Sequence, residues 1–129
     1  MASTSPGGQK TNLGMAPNLA ALLCYLPVCC LGFVFSAVVA IVEKQSRFLR
    51  FHAFQSLLFH AVIIVLSVGI QIFTMILSQM AGLLGLLGTI LGLLCGLLAL
   101  GVSILMMIKA YNNEQYELPT IGQMAKNWV

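Results

Sequence analysis

The chain has 129 residues, 60% of them hydrophobic and 7% charged, with a net charge of +3, whereas soluble domains carry about 25% charged residues. No Asp, Glu, Lys or Arg occurs from Thr11 through Val42 or from Phe51 through Ile108. That excludes a water-soluble fold of this size and points to an integral membrane protein with one compact domain. The six Lys and Arg residues stand along segment boundaries rather than in one water-facing patch, which excludes nucleic acid as a partner.

Residues 1–16 are rich in Ser, Gly and Pro and are predicted to be a disordered tail. A transmembrane helical domain is predicted over 17–110, with three spans at 17–42, 53–77 and 83–108. Pro17 suits a first helical turn. Pro27 lies mid-run and should kink the first span or break it into a short and a longer piece. This run is too long for the apolar core of a signal peptide. The second span is long enough to cross a ~30 Å hydrocarbon layer with tilt. The turn Ser78-Gln79-Met80-Ala81-Gly82 joins it to the third. The expected fold class is therefore all-α: a multi-pass transmembrane bundle of three long helices, the first kinked near Pro27, plus a short C-terminal interfacial helix.

Charge gives these spans a direction. With three crossings, Lys44, Arg47, Arg50, Lys109 and Lys126 share one side and only Lys10 lies opposite. The positive-inside rule then makes the loop and tail cytoplasmic and the N-terminus external. Arg47 and Arg50 stand among Phe48, Phe51 and Phe54 at the mouth of the second span. There they either snorkel to lipid phosphate and water or pair within the protein.

Polar residues inside a span are costly unless they face protein or water. At 100° per residue, Ser56, His60, Ser67, Gln71, Thr74 and Ser78 fall within an arc of roughly 60° on the second helix. On the first, Asn18, Tyr25, Cys29, Gly32, Ser36 and Ala40 share a face that Glu43 continues. On the third, Gly88, Gly92 and Gly96 form a doubled small-xxx-small pattern that lets backbones approach. One model buries these faces against each other. The other uses the glycines for a homo-oligomer whose polar stripe lines a shared pathway.

His52 and His60 are eight residues apart, about 12 Å along a helix, too far to share one metal without a bend. His60 is expected as a hydrogen-bonded core histidine, with a proton or substrate role as the alternative. Cys24, Cys29, Cys30 and Cys95 form no CxxC pair and read as core-filling thiols. No metal site, cofactor or catalytic constellation is expected, and the chain is not read as an enzyme.

Residues 111–129 form a cytoplasmic interfacial tail. Pro119 breaks the preceding helix, and Ile121, Met124 and Trp128 recur at helical spacing, predicting a short helix along the membrane surface. Glu114 and Glu117 lie on the same side as Arg47 and Arg50. The four are expected to pair as a clamp between the tail and the start of the second helix, against the alternative of solvated, unpaired charges.

Two motifs stand out: Arg50-Phe51-His52-Ala53-Phe54-Gln55-Ser56, and Tyr116-Glu117-Leu118-Pro119-Thr120-Ile121-Gly122. Together they resemble small bacterial and archaeal membrane proteins related to the twenty-kilodalton subunit of the translocon at the inner chloroplast envelope. The resemblance covers about Asn18 to Ala125. It implies a multi-pass helical protein of the bacterial cytoplasmic (inner) membrane, connected with protein translocation. The residues themselves favour a non-catalytic subunit or assembly factor, with the lipid bilayer and other membrane subunits, or itself, as partners. A homo-oligomeric channel or transporter lined by His60, Ser67 and Gln71 is the alternative.

Overall fold

The computed structural model describes residues 11–27 and 31–129. Five helices occur among them: α1 (Pro17–Cys24), α2 (Leu31–Val42), α3 (Arg47–Met80), α4 (Gly82–Tyr111) and α5 (Ile121–Trp128). Lys10, Cys29, Cys30 and most of the predicted N-terminal tail lie outside the described residues. The described residues 11–16 form a turn with Gly14 at φ +72°, and Thr11 Oγ1 donates to the Met15 carbonyl at 2.7 Å.

Two helices are long and apolar enough to cross a membrane, α3 with 34 residues and α4 with 30. At 1.5 Å per residue they extend about 51 and 45 Å. Their most apolar windows are almost wholly unburied within the protein, which suits hydrocarbon and not water.

The expected first long helix is replaced by two short ones. The chain leaves the α conformation at Tyr25, and Leu26 precedes Pro27, a position biased against helix. The α1 end tightens, with Tyr25 N–H donating to Leu22 O (3.1 Å) and Leu26 N–H to Leu23 O (3.2 Å). Gly32 of α2 sits against this break. A Cβ there would collide with the Leu26 carbonyl oxygen and lie 2.9 Å from that of Cys24. With 8 and 12 residues, α1 and α2 measure about 12 and 18 Å, and neither spans a ~30 Å core.

The described residues divide into two compact units. One combines Met1–Phe59 with Ser103–Val129, and the other is His60–Val102. The first holds a core of small and aromatic side chains that includes Ala21, Tyr25, Leu49, Phe51, Met106 and Ala125, all fully buried. The second is a helical hairpin turning at Ala81, whose N–H still reaches Leu77 O (3.1 Å) while its own carbonyl accepts from Leu84 (3.0 Å).

Candidate functional site

The chemistry concentrates in the first unit. Helix α3 begins at a cap assembled from the preceding loop. Glu43 is fully buried, and its Oε1 accepts from the N–H groups of Gln45 (2.8 Å) and Ser46 (3.0 Å). Ser46 Oγ accepts from Leu49 N–H at 3.2 Å, as an N-cap serine does. Glu43 Oε2 accepts from Asn12 N–H (2.8 Å), and Lys44 N–H donates to Asn12 Oδ1 (3.1 Å). The segment before α1 is thereby tied to the segment after α2. The carboxylate also complements the positive end of α3.

One turn further along, α3 presents His52, Gln55 and Ser56, all fully buried. Gln55 Nε2 donates to Tyr25 Oη (2.9 Å) and to the Tyr116 carbonyl (2.9 Å), while its Oε1 accepts from Leu118 N–H (3.0 Å). Tyr25 Oη lies 3.1 Å from His52 Nδ1, and His52 Nε2 lies 3.2 Å from the Glu114 carbonyl. A carbonyl only accepts, so a neutral imidazole protonated at Nε2 satisfies both contacts, with Tyr25 donating to Nδ1. The result is a one-way chain of donors from Gln55 through Tyr25 and His52 to Glu114 O. Phe48, Phe51 and Tyr25 pack edge-on around the imidazole, with centroids at 4.6, 5.3 and 5.7 Å.

The serines serve the broken helix. The last carbonyls of α1 lack intrahelical donors. Ser56 Oγ donates to Cys24 O at 2.5 Å. Ser36 Oγ lies 3.0 Å from that carbonyl, 2.6 Å from Gly32 O and 3.0 Å from Ser56 Oγ, so its single proton can serve one of them at a time. Asn18 Nδ2 adds a donor to Tyr111 O at 3.1 Å. Side chains from α1, α2 and α3 thus fasten both the helix break and the chain that follows α4.

Glu114 and Glu117 differ from the predicted clamp. Glu114 pairs with Lys109 at 2.7 Å and Glu117 with Lys126 at 2.8 Å. Each is satisfied by a lysine on its own stretch of chain, which costs less ordering than reaching across to α3. Among the described residues Arg47 and Arg50 form no ion pair. The tail is held at the start of α3, but by His52 and Gln55 acting on its backbone. Sequence reasoning missed both as site residues, although both sit in the Arg50–Ser56 motif. Gly122, from the other motif, lets α5 approach: a Cβ there would lie 2.7 Å from Gln55 Oε1 and 2.8 Å from the Glu117 Cα. Helix α5 buries Gly122 and Ala125 and leaves Met124 and Trp128 half exposed.

The polar stripe is divided between the units. Ser56 belongs to the buried network. His60 is half-buried at the start of the second unit, and Ser67, Gln71, Thr74 and Ser78 follow it. Thr74 Oγ1 and Ser78 Oγ donate to their own helix at Ile70 O and Met75 O, both at 2.7 Å. A Cβ on Gly85 would lie 2.8 Å from Ser78 Cβ, and one on Gly88 2.5 Å from Thr74 Oγ1. The hairpin therefore closes on these glycines. Contact loosens at Gly92, 3.4 Å from Ile70 Cγ2, and Gly96 meets nothing within 4 Å. There a groove of about 270 Å³ opens, lined by Ser67, Gln71, Gly92, Cys95 and Gly96 among others. Among the described residues no three His, Cys, Asp or Glu side chains cluster to hold a metal.

The comparisons with known proteins match this arrangement to a family. The model described as the magnetosome magnetite crystal formation protein family covers residues 9–125. The chain belongs to that family. The matched range includes both motifs that build the buried network. The chain is also 34% identical over 119 residues to the "UPF0132 membrane protein MJ1443" of Methanocaldococcus jannaschii, covering 92% of this chain and 94% of that one. A UPF0132 membrane protein of Archaeoglobus fulgidus is 30% identical over 115 residues, with 89% and 97% covered. A second from Methanocaldococcus jannaschii, MJ1527, is 28% identical over 116 residues, with 90% and 72% covered. No solved structure matches the chain.

These matches correct the resemblance drawn from the motifs. The family is that of the magnetosome proteins and the archaeal membrane proteins, not that of the plastid translocon subunit, and the implied link to translocation falls with it. The physical reason lies in the motifs themselves. Their polar residues bond to one another and to backbone, so they report an internal fastening and say nothing of a transported chain.

Proposed function

We propose that the chain is a non-catalytic integral membrane protein that serves as a subunit or assembly factor of a membrane complex. The family description brings magnetite crystal formation to it as the process served. The observation that carries this reading is the inward use of its polar groups. His52, Gln55, Ser56 and Tyr25 are spent on bonds within the first unit, while the hairpin presents a hydrocarbon surface. All three acids are likewise engaged inside the chain. That supports a contribution through membrane architecture over one through direct ligation of iron.

The same contacts support a revised topology in a bacterial cytoplasmic or derived membrane. Helices α3 and α4 cross once each, and α1 and α2 dip into one leaflet and return. Asn12 bonded to Glu43 and Lys44, and Asn18 bonded to Tyr111, are what a returning segment requires. All six Lys and Arg then fall on one side, against none at the Ala81 turn, a stronger positive-inside bias than three spans give. Green fluorescent protein fused to either terminus should fluoresce in the cytoplasm, and alkaline phosphatase inserted at Ala81 should be active. An external N-terminus refutes the topology. For the function, native mass in mild detergent should show a monomer or co-purified membrane subunits.

One observation favours a second reading. Gln71 is exposed on a membrane-crossing helix beside the Gly92–Gly96 groove. A second copy packed there would pair amide with amide. A stable symmetric oligomer that Gln71→Leu dissolves would establish it.

A further inference from the structure

The charges of the first unit do not balance locally: among the described residues Lys44, Arg47 and Arg50 are left over, and the two arginines share a helix. Glu43 is consumed by three backbone N–H groups, Glu114 by Lys109 and Glu117 by Lys126. Arg47 and Arg50 remain without an acid among the described residues. They stand three apart at the start of α3 and so share a face. Arg47 is exposed, and Arg50 is half-buried with its Nε enclosed and without a hydrogen-bond partner. Burying a guanidinium N–H unpaired is costly, and of the Arg50 donors only Nε is enclosed, so its Nη–H groups are the ones left to meet an acceptor from outside the chain. The guanidinium lies 5.9 Å from the centre of the Phe54 ring, against which Trp128 packs edge-on at 5.8 Å. The aromatic wall is apolar and the open side cationic, at the entry to a hydrocarbon-crossing helix.

We infer that Arg47 and Arg50 bind the phosphodiester of an anionic phospholipid, with Phe54 and Trp128 against its glycerol and upper acyl region. Guanidinium is the side chain suited to this, since its two terminal Nη–H groups can take two phosphate oxygens in a planar fork. A second arginine one turn away adds charge without competing for those oxygens. The site depends on a headgroup layer at the start of α3, whichever side of the membrane that is, and not on the assembly role proposed above.

Trp128 is the only tryptophan in the chain, so its fluorescence reads the site directly. The full chain in neutral detergent is titrated with brominated phosphatidylglycerol and with brominated phosphatidylcholine, and quenching of Trp128 gives the affinities. Phosphatidylglycerol should bind the more tightly. Arg50→Gln should weaken it about tenfold and Arg47→Gln about fivefold, with helical circular dichroism unchanged. Arg50→Lys keeps the charge but loses the fork, and should fall between the native chain and Arg50→Gln even where the glutamine variant folds poorly. Phosphatidylglycerol affinity unchanged in Arg50→Lys and Arg47→Gln would overturn the site. Inorganic phosphate displacing the lipid at equal concentration would overturn its assignment to lipid. Loss of binding with native mass and co-purification unaltered would uphold the site independently of the assembly role.

Discussion

Replacing Gln55 with leucine tests whether the network, and not apolar packing alone, holds the tail. The side chains are similar in size, so the cavity term is small. Three hydrogen bonds disappear, to Tyr25 Oη, Tyr116 O and from Leu118 N–H. Tyr25 can still donate to His52, so its loss is minor. Tyr116 O and Leu118 N–H are left part-buried without a partner, at about 1 kcal/mol or somewhat more each. Membrane-protein averages of about 0.6 kcal/mol per bond give a similar total of about 2 kcal/mol. A loss of that size raises the open population of the tail about 30-fold. Hydrogen exchange in detergent should show the Leu118 amide exchanging faster by about that factor, with amides in the middle of the His60–Val102 hairpin unchanged. Gln55→Glu is the sharper variant. It keeps an acceptor for Leu118 but turns a carboxylate oxygen toward the Tyr116 carbonyl, and should be worse than leucine because a buried charge then faces another acceptor. Unaltered Leu118 protection in Gln55→Leu, or glutamate tolerated better than leucine, refutes the reasoning.

Four other substitutions probe three separate parts of the structure. Tyr25→Phe removes the link between Gln55 and His52 and should cost about 1–2 kcal/mol, measured as a lower midpoint of thermal unfolding in detergent. Glu43→Gln turns an amide donor toward one of the three backbone N–H groups it now accepts. It should loosen the start of α3 by about 2 kcal/mol, seen as faster exchange at Gln45 and Ser46. Gly88→Ala places a Cβ 2.5 Å from Thr74 Oγ1, whereas Gly96→Ala meets nothing within 4 Å. The first should lower the thermal midpoint and the second leave it in place, and equal effects would refute the hairpin packing.

The elements open to water or lipid were the most legible from sequence. Long uncharged runs identify α3 and α4 because a ~30 Å hydrocarbon layer demands them. The Ile121–Met124–Trp128 spacing identifies α5, although its buried face turns out to be Gly122 and Ala125. In the first apolar run hydropathy measures only length. Pro27 marks the break that divides it into α1 and α2, and the contact it could not foretell is Asn12 meeting Glu43, 31 residues apart. The stripe on α3 is a statement about angle and not about environment. Ser56 and Gln71 lie within 60° of each other, yet one is fully buried and the other exposed. Helical phase gives the face, and only the neighbouring elements decide what covers it.

The polar groups that sequence reasoning passed over explain why two motifs about sixty residues apart belong together. His52 and Gln55 can satisfy their hydrogen-bonding atoms only if Glu114, Tyr116 and Leu118 bring backbone to them. Those residues in turn lie beyond the end of α4, past the left-handed Asn113, where backbone groups have no helical partners. Each segment supplies what the other lacks. Pro119 ends any continuation of helix, Thr120 turns the chain at φ +62°, and Gly122 lets α5 approach Gln55 without a Cβ in the way. A helix start carrying unpaired side chains and a tail carrying unpaired backbone would each be unfavourable at a membrane boundary. Joined, they satisfy one another. Variants of either motif should therefore destabilise the same set of amides, and a double variant at Gln55 and Gly122 should cost less than the sum of the two single ones.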